Sequence, residues 1–208
     1  MSLVRAREEI CHLGRSLFDR GYTHGTSGNI SVLLDDGRML VTPTKSSLGG
    51  LDPAALTLLD PAGRILEGLA PTKELPLHGA MYRSRGAARA IVHLHSTHSV
   101  AASMLPGLDP TDVFPPLTAY YLMKVGRTAL LPYFRPGDPR VAQAIDELQG
   151  TYSSILLANH GPVVSGLSLA EATAAVEELE QTAKLYLLVG HRGAQLLNCE
   201  ETEALRCN

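Results

Sequence analysis

The sequence predicts an α/β fold, and three observations carry that expectation. Two pairs of short strand-forming segments meet at turn signals, Asp35-Asp36-Gly37 and Asp60-Pro61-Ala62-Gly63. Two apolar runs, Ala90 to Leu94 and Ser154 to Leu157, lead directly into histidines. Two longer segments, 2–20 and 168–189, carry apolar residues at helical spacing.

The elements follow in order. Leu3, Ile10, Leu13, Leu17 and Phe18 share one helical face, and Gly21 ends that helix. Residues 25–34, GTSGNISVLL, pass from small polar residues into a strand, and Ile30–Leu34 pairs with Arg38–Thr42 as a hairpin. Residues 42–50, TPTKSSLGG, gather hydroxyls, glycines and Lys45 directly after a strand. Both polar segments suit an anion, and both also read as ordinary tight turns. Leu56–Leu59 and Arg64–Glu67 form the second hairpin. Thr72 is the expected N-cap of a helix over 73–84, with Glu74 in its first turn and His78 one turn on, on the same face. Residues 105–116 hold four prolines and read as a loop. A short strand at 129–131 and a helix at 141–148 follow. Ser168 and Glu171 form a capping box for the last long helix, on which Glu177, Glu178 and Glu180 are expected to face solvent. The chain from Gly190 reads as a short tail.

Residues 91–100, IVHLHSTHSV, are the centre of this arrangement. Side chains alternate across a strand, so His93 and His95 point to one side. Two imidazoles on one face suit a divalent metal, although such a pair also occurs simply packed. Ser96 and Thr97 offer a helix N-cap, which places the pair at a strand-to-helix junction. Asn159-His160-Gly161-Pro162 ends another apolar strand, where a histidine is well placed to enter a site.

Composition narrows the class. The chain is 45% apolar and 19% charged, with net charge −3 and no basic block, so neither nucleic acid nor an anionic membrane surface is an expected partner. It has no apolar run of ~18 or more residues and no leader-like N-terminus. Cys11, Cys199 and Cys207 are scattered, as in a reducing compartment. A cytoplasmic protein with a single domain over 1–208 is expected, since neither a repeat nor a linker breaks the chain.

Taken together, SGNIS, VTPT, TKE before a helix, HLH, and ANHG before a long helix resemble the class II aldolase/adducin family. The resemblance spans about residues 14–188. It implies a three-layer α/β/α sandwich with a mostly antiparallel central sheet, and a homotetramer with sites near subunit interfaces. It also implies one zinc or other divalent metal per subunit, held by His93, His95 and His160, with Glu74 as ligand and acid/base. Phosphate would lie on Asn29, Thr44, Thr72 and Lys73, and the catalytic tyrosine would be Tyr120. His98 is not called for as a ligand, and His12, His24, His78 and His191 are expected to pack or lie at the surface.

KELPLH, HLHSTHS, PYFRPGD and LLANHGPVVSG further resemble the family's 3-oxo-tetronate 4-phosphate decarboxylases, which make dihydroxyacetone phosphate and carbon dioxide. In one position the chain departs from them: glycine is expected after TPT, and Lys45 stands there. In such a β-keto acid the departing carboxylate leaves its electrons on the ketone, where a metal acts as Lewis acid. The resulting enediolate then needs a proton at carbon, from Glu74 or Tyr120. A class II ketose-phosphate aldolase is the alternative, a thiosugar-phosphate dehydratase a third reading, and a non-catalytic adducin-like module a fourth.

Overall fold

The computed structural model describes residues 2–190 and 193–206. Helix α1, Leu3–Asp19, starts where Ser2 accepts a hydrogen bond from the Arg5 N–H, and it buries Ala6, Ile10, Gly14 and Leu17 at helical spacing. Its last carbonyls are closed by Gly21 and Tyr22 N–H groups, with Gly21 at φ +76°, as the sequence expects.

Eight strands form one sheet: β1 Asn29–Leu33, β2 Met39–Val41, β3 Thr57–Leu59, β4 Ile65–Glu67, β5 Ala90–His93, β6 Thr128–Leu131, β7 Ser154–Leu157 and β8 Gly161–Gly166. Their order is β4-β3-β2-β1-β5-β8-β7-β6, antiparallel throughout except for the β6–β7 pair. Both expected hairpins are present, β1–β2 and β3–β4. The remaining helices are α2 Leu75–Ser84, α3 Thr97–Ser103, α4 Ala119–Lys124, α5 Arg140–Glu147, α6 Leu169–Val189 and α7 Cys199–Arg206.

Strand alternation sends Ile30, Val32 and Val164 into a core with residues of α1, α3, α4 and α6. Ile91, Ile155 and Val163 point the other way, against Leu77 and Met81 of α2 and Val141 and Ile145 of α5. The result is a three-layer α/β/α sandwich with a mostly antiparallel sheet.

Several local expectations are corrected. Helix α2 begins at Leu75 rather than Lys73, with Glu74 at the capping position and Thr72 outside it. The Thr72 hydroxyl accepts the Glu74 N–H at 3.3 Å, and the Glu74 side chain makes no capping bond because it turns into the protein. The segment after Gly190 is not merely a tail, since α7 packs against α4 and Leu197 N–H bonds the Pro116 carbonyl. The acidic face of α6 is not uniformly solvated. Glu177 pairs with Arg20, and Glu180 is buried, its two oxygens accepting the N–H groups of His98 and Ser99. Glu180 thus caps α3, a task expected of Ser96, whose side chain makes no capping bond. His191 and Cys207 lie outside the described residues.

Candidate metal centre and substrate cleft

The central sheet order puts β1, β5 and β8 side by side, although they come from distant parts of the chain. Asn29 at the start of β1 pairs with His93 at the end of β5, and His93 pairs with Val163 on β8. His95 lies two residues beyond the end of β5, so the ladder itself does not fix it. Gly161 permits the closure. It has φ +151°, and a Cβ there would stand 2.2 Å from the Leu94 carbonyl oxygen. His160, immediately before it, is thereby brought against the HxH segment.

His93, His95, His160 and Glu74 converge, each offering one donor atom, with all four donors within 4.8 Å of one another. Nε2 of His93 stands 3.1 Å from Nε2 of His95 and 3.3 Å from Nε2 of His160. The Glu74 oxygens stand 3.3 Å from His93 Nε2 and 3.4 Å from His160 Nε2. Four donors held tetrahedrally ~2.0–2.2 Å from zinc are ~3.3–3.6 Å apart, so most of these spacings fit such an ion. The protonation pattern agrees with this. Nδ1 of His93 is 2.8 Å from the Pro162 carbonyl, which can only accept, so Nδ1 carries the proton and Nε2 turns a lone pair inward. Facing lone pairs repel unless a cation or proton lies between them. The residues therefore fit a single divalent cation.

The electrostatics match. Burial pushes the Glu74 carboxyl up, but His93, the Asn29 amide and His160 outweigh it and hold the group well below the usual carboxylate range. Burial pushes His93 down, and Glu74 reverses this, leaving it raised. Both shifts favour the charged form, an anionic carboxylate beside a cationic imidazole. His95 falls to about 3 and His160 to about 4, chiefly through burial and then through their charged neighbours. Neutral His95 and His160 beside the ionised Glu74 carboxylate are what a cation requires, and its binding displaces the proton from His93 Nε2.

Among the concavities that touch the cluster, two are the larger. One, of about 140 Å³, is lined by Asn29, Thr44, Lys45, Thr72, Lys73 and His95 among others. All four residues expected to hold phosphate share it with Lys45. The other, about 460 Å³ and more open, is lined by His24, His95, Tyr133 and His160 among others. Tyr120 lines neither. It is 65% exposed on α4, whereas its neighbour Tyr121 is fully buried. His98 is occupied by Glu180 at 2.8 Å, and His12 and His24 are exposed.

His78 was undervalued by sequence reasoning. It is fully buried, and burial drives its pKa down to about 3. Its Nε2 is 2.5 Å from Asn29 Oδ1 and its Nδ1 2.7 Å from the Ser31 hydroxyl. Asn29 in turn donates to Glu74 Oε2 at 2.7 Å. The signal available in the sequence was the four-residue spacing from Glu74.

Residues 8–187 match the model of the class II aldolase and adducin N-terminal domain. The chain is 48% identical over 200 residues to the 3-oxo-tetronate 4-phosphate decarboxylase of Escherichia coli K12, covering 96% of this chain and 94% of that protein. It is 50% identical over 183 residues to the enzyme of the same name from Cupriavidus necator, covering 88% of this chain and 84% of that one. Among solved structures, YgbL from Escherichia coli superposes with a TM-score of 0.95 at 46% identity, over 98% of this chain and 99% of that one.

Proposed function

Because the chain belongs to the class II aldolase and adducin family, we propose that it is a metal-dependent carbon–carbon lyase that decarboxylates a 3-oxo-tetronate 4-phosphate to dihydroxyacetone phosphate and carbon dioxide. The observation that carries this reading is the convergence of Glu74, His93, His95 and His160 beside a cleft rich in hydroxyl and amine donors, in a chain 48% identical to an enzyme of that name. The intact cluster favours an enzyme over a non-catalytic module.

His93, His95, His160 and Glu74 would hold one divalent cation, and the three imidazoles with one carboxylate favour zinc. Such a cation supplies Lewis-acid charge where negative charge develops on the substrate ketone. The chain's own groups do the rest. The hydroxyls of Thr44 and Thr72, the Lys73 and Lys45 ammonium groups, and the free N–H of Asn29 bind the phosphate, which orients the keto acid toward the cluster. Breaking the bond to the carboxylate carbon leaves its electron pair on the ketone and yields an enediolate. Glu74 passes a proton taken from water to carbon, giving the neutral ketone product.

Tyr120 is the second candidate proton donor. Lining neither concavity of its own chain, it serves the site of a neighbouring copy, in a homotetramer whose subunits meet near the exposed Tyr120 and Met123 of α4. The whole chain, 1–208, forms one catalytic domain. Among the described residues, no helix is long and apolar enough to cross a membrane. Cys11 and Cys199 are free thiols, which supports a cytoplasmic setting.

Glu74→Gln tests the reading. With carbon dioxide and dihydroxyacetone phosphate followed separately, this variant should keep its fold and lose ~10²–10⁴-fold in turnover. Near-normal release of both products by metal-loaded Glu74→Gln would remove Glu74 from proton transfer. Release of an aldehyde from a ketose phosphate by the unaltered protein, without carbon dioxide from the keto acid, would assign the chain as an aldolase instead.

A further inference from the structure

A buried hydrogen-bond chain runs away from Glu74 into the layer between the sheet and α2. On β1, Asn29 and Ser31 occupy alternate positions and so share the face that α2 covers. On the helix side, Glu74, His78 and Tyr82 recur every four residues and form one stripe. The two rows interlock. Glu74 Oε2 lies 2.7 Å from Asn29 Nδ2, Asn29 Oδ1 2.5 Å from His78 Nε2, His78 Nδ1 2.7 Å from Ser31 Oγ, and Ser31 Oγ 2.9 Å from the Tyr82 hydroxyl. Ser31 and His78 are inaccessible to solvent.

Elementary donor–acceptor rules give every bond a direction. An ionised carboxylate only accepts, so Asn29 turns its NH₂ to Glu74 and its carbonyl to His78. That carbonyl only accepts, so Nε2 of His78 bears hydrogen. A neutral ring then has a bare Nδ1, which accepts from the Ser31 hydroxyl, and the Ser31 oxygen accepts from Tyr82. A flipped Asn29 would set its carbonyl against the carboxylate and its NH₂ against the imidazole N–H. Both contacts would be repulsive.

We propose that His78, pinned by Ser31 and Tyr82, is a positioning residue whose Nε2–H locks the Asn29 carboxamide in the one orientation that donates to Glu74. The lock holds the Glu74 carboxylate at the edge of the histidine cluster. It also commits one of the two Asn29 N–H groups, leaving one for substrate, so Asn29 serves the proton carrier as well as the phosphate. This inference rests on the reading of Glu74 as proton carrier.

The test compares His78→Leu, His78→Gln and Glu74→Gln, each loaded with zinc. His78→Leu removes the donor, and kcat should fall ~10–100-fold, the usual cost of losing an outer hydrogen-bond partner of a metal ligand. KM for the phosphorylated substrate should rise no more than a few-fold, since Thr44, Thr72, Lys45 and Lys73 are untouched and only the Asn29 amide is freed to turn. Gln can place an amide N–H where Nε2 stands, so His78→Gln should recover most of the turnover. A purely structural role would lower thermal stability and leave Gln no better than Leu in turnover, and that result overturns the proposal. Should His78→Leu not fold, ¹⁵N-histidine NMR of the unaltered protein decides: an Nε2–H tautomer at His78 supports the lock, and an Nδ1–H tautomer overturns it. An active Glu74→Gln would refute the underlying reading, whereas an inactive Glu74→Gln beside a fully active His78→Leu refutes the lock alone.

Discussion

Lys45 stands in the substrate cleft with φ +61°, a backbone region that favours glycine. A branched or long side chain there costs ~1 kcal/mol or more relative to glycine. The strain gains meaning from its place, since it holds an ammonium group at the same cleft as Thr44, Thr72 and Lys73. Lys45→Gly should therefore raise the thermal midpoint by a few degrees and, at the same time, raise KM for the phosphorylated substrate several-fold. Thermal melts and initial-rate kinetics on one preparation check both. A gain in stability with unchanged KM would make Lys45 a bystander. At this scale the convergence of Glu74, His93, His95 and His160 was legible, because HxH, a strand-end histidine and a lone glutamate before a helix are chemically conspicuous. His78 was not. A histidine on an apolar helix gives no sign of its partners, and those partners, Asn29 and Ser31, come from a strand nearly fifty residues earlier.

Among the elements, α3 is short and depends on help. Its N-terminal N–H groups at His98 and Ser99 are satisfied by Glu180 of α6, at 2.9 and 2.8 Å, and Glu180 also accepts from the Ser99 hydroxyl and His98 Nδ1. The carboxylate lies where the helix dipole favours negative charge. Since α3 begins two residues after His95, the same cap would steady that candidate ligand. Glu180→Ala should lower stability by ~2–4 kcal/mol, through lost caps and buried donors left unpaired. Metal affinity should weaken with it, as read by competition with a chromophoric chelator. Stability unchanged within ~0.5 kcal/mol would show that the cap is dispensable. Periodicity located α6 and both hairpins. It missed Glu180, because a glutamate on a helix looks the same whether it faces water or a neighbouring helix. It missed α7 for a related reason: that helix has no buried stripe of its own and takes its place by packing on α4.

At the scale of the whole molecule, the four candidate metal donors lie on one chain, and the exposed Tyr120 lines neither concavity beside them. If Tyr120 completes a neighbour's site, two inactive variants should complement each other. Mixed oligomers of Glu74→Gln and Tyr120→Phe, formed by co-expression, should regain a fraction of turnover that neither homo-oligomer shows. Mixed oligomers no more active than their parents would confine catalysis to one subunit's residues. The three-layer arrangement was accessible from sequence through the family resemblance, whereas the strand order was not. Neighbouring strands β1, β5 and β8 are joined by pairings 58 to 76 residues apart in sequence, from Val32–Ala90 to Ala90–Gly166, and local patterning is blind to those.

That same adjacency has a kinetic consequence. Pairings between distant segments carry a loop-closure penalty and form late along the folding route. The donors at positions 93, 95 and 160 meet only when β5 and β8 have docked, and Glu74 joins them only with α2, so the complete site is expected to form after the barrier is crossed. A cation then acts on the finished structure. In stopped-flow experiments across denaturant, added zinc should leave the refolding limb where it is and slow the unfolding limb, the signature of an interaction absent from the transition state. Faster refolding with zinc would mean that the ion is captured early, by a nucleus assembled around His93 and His95.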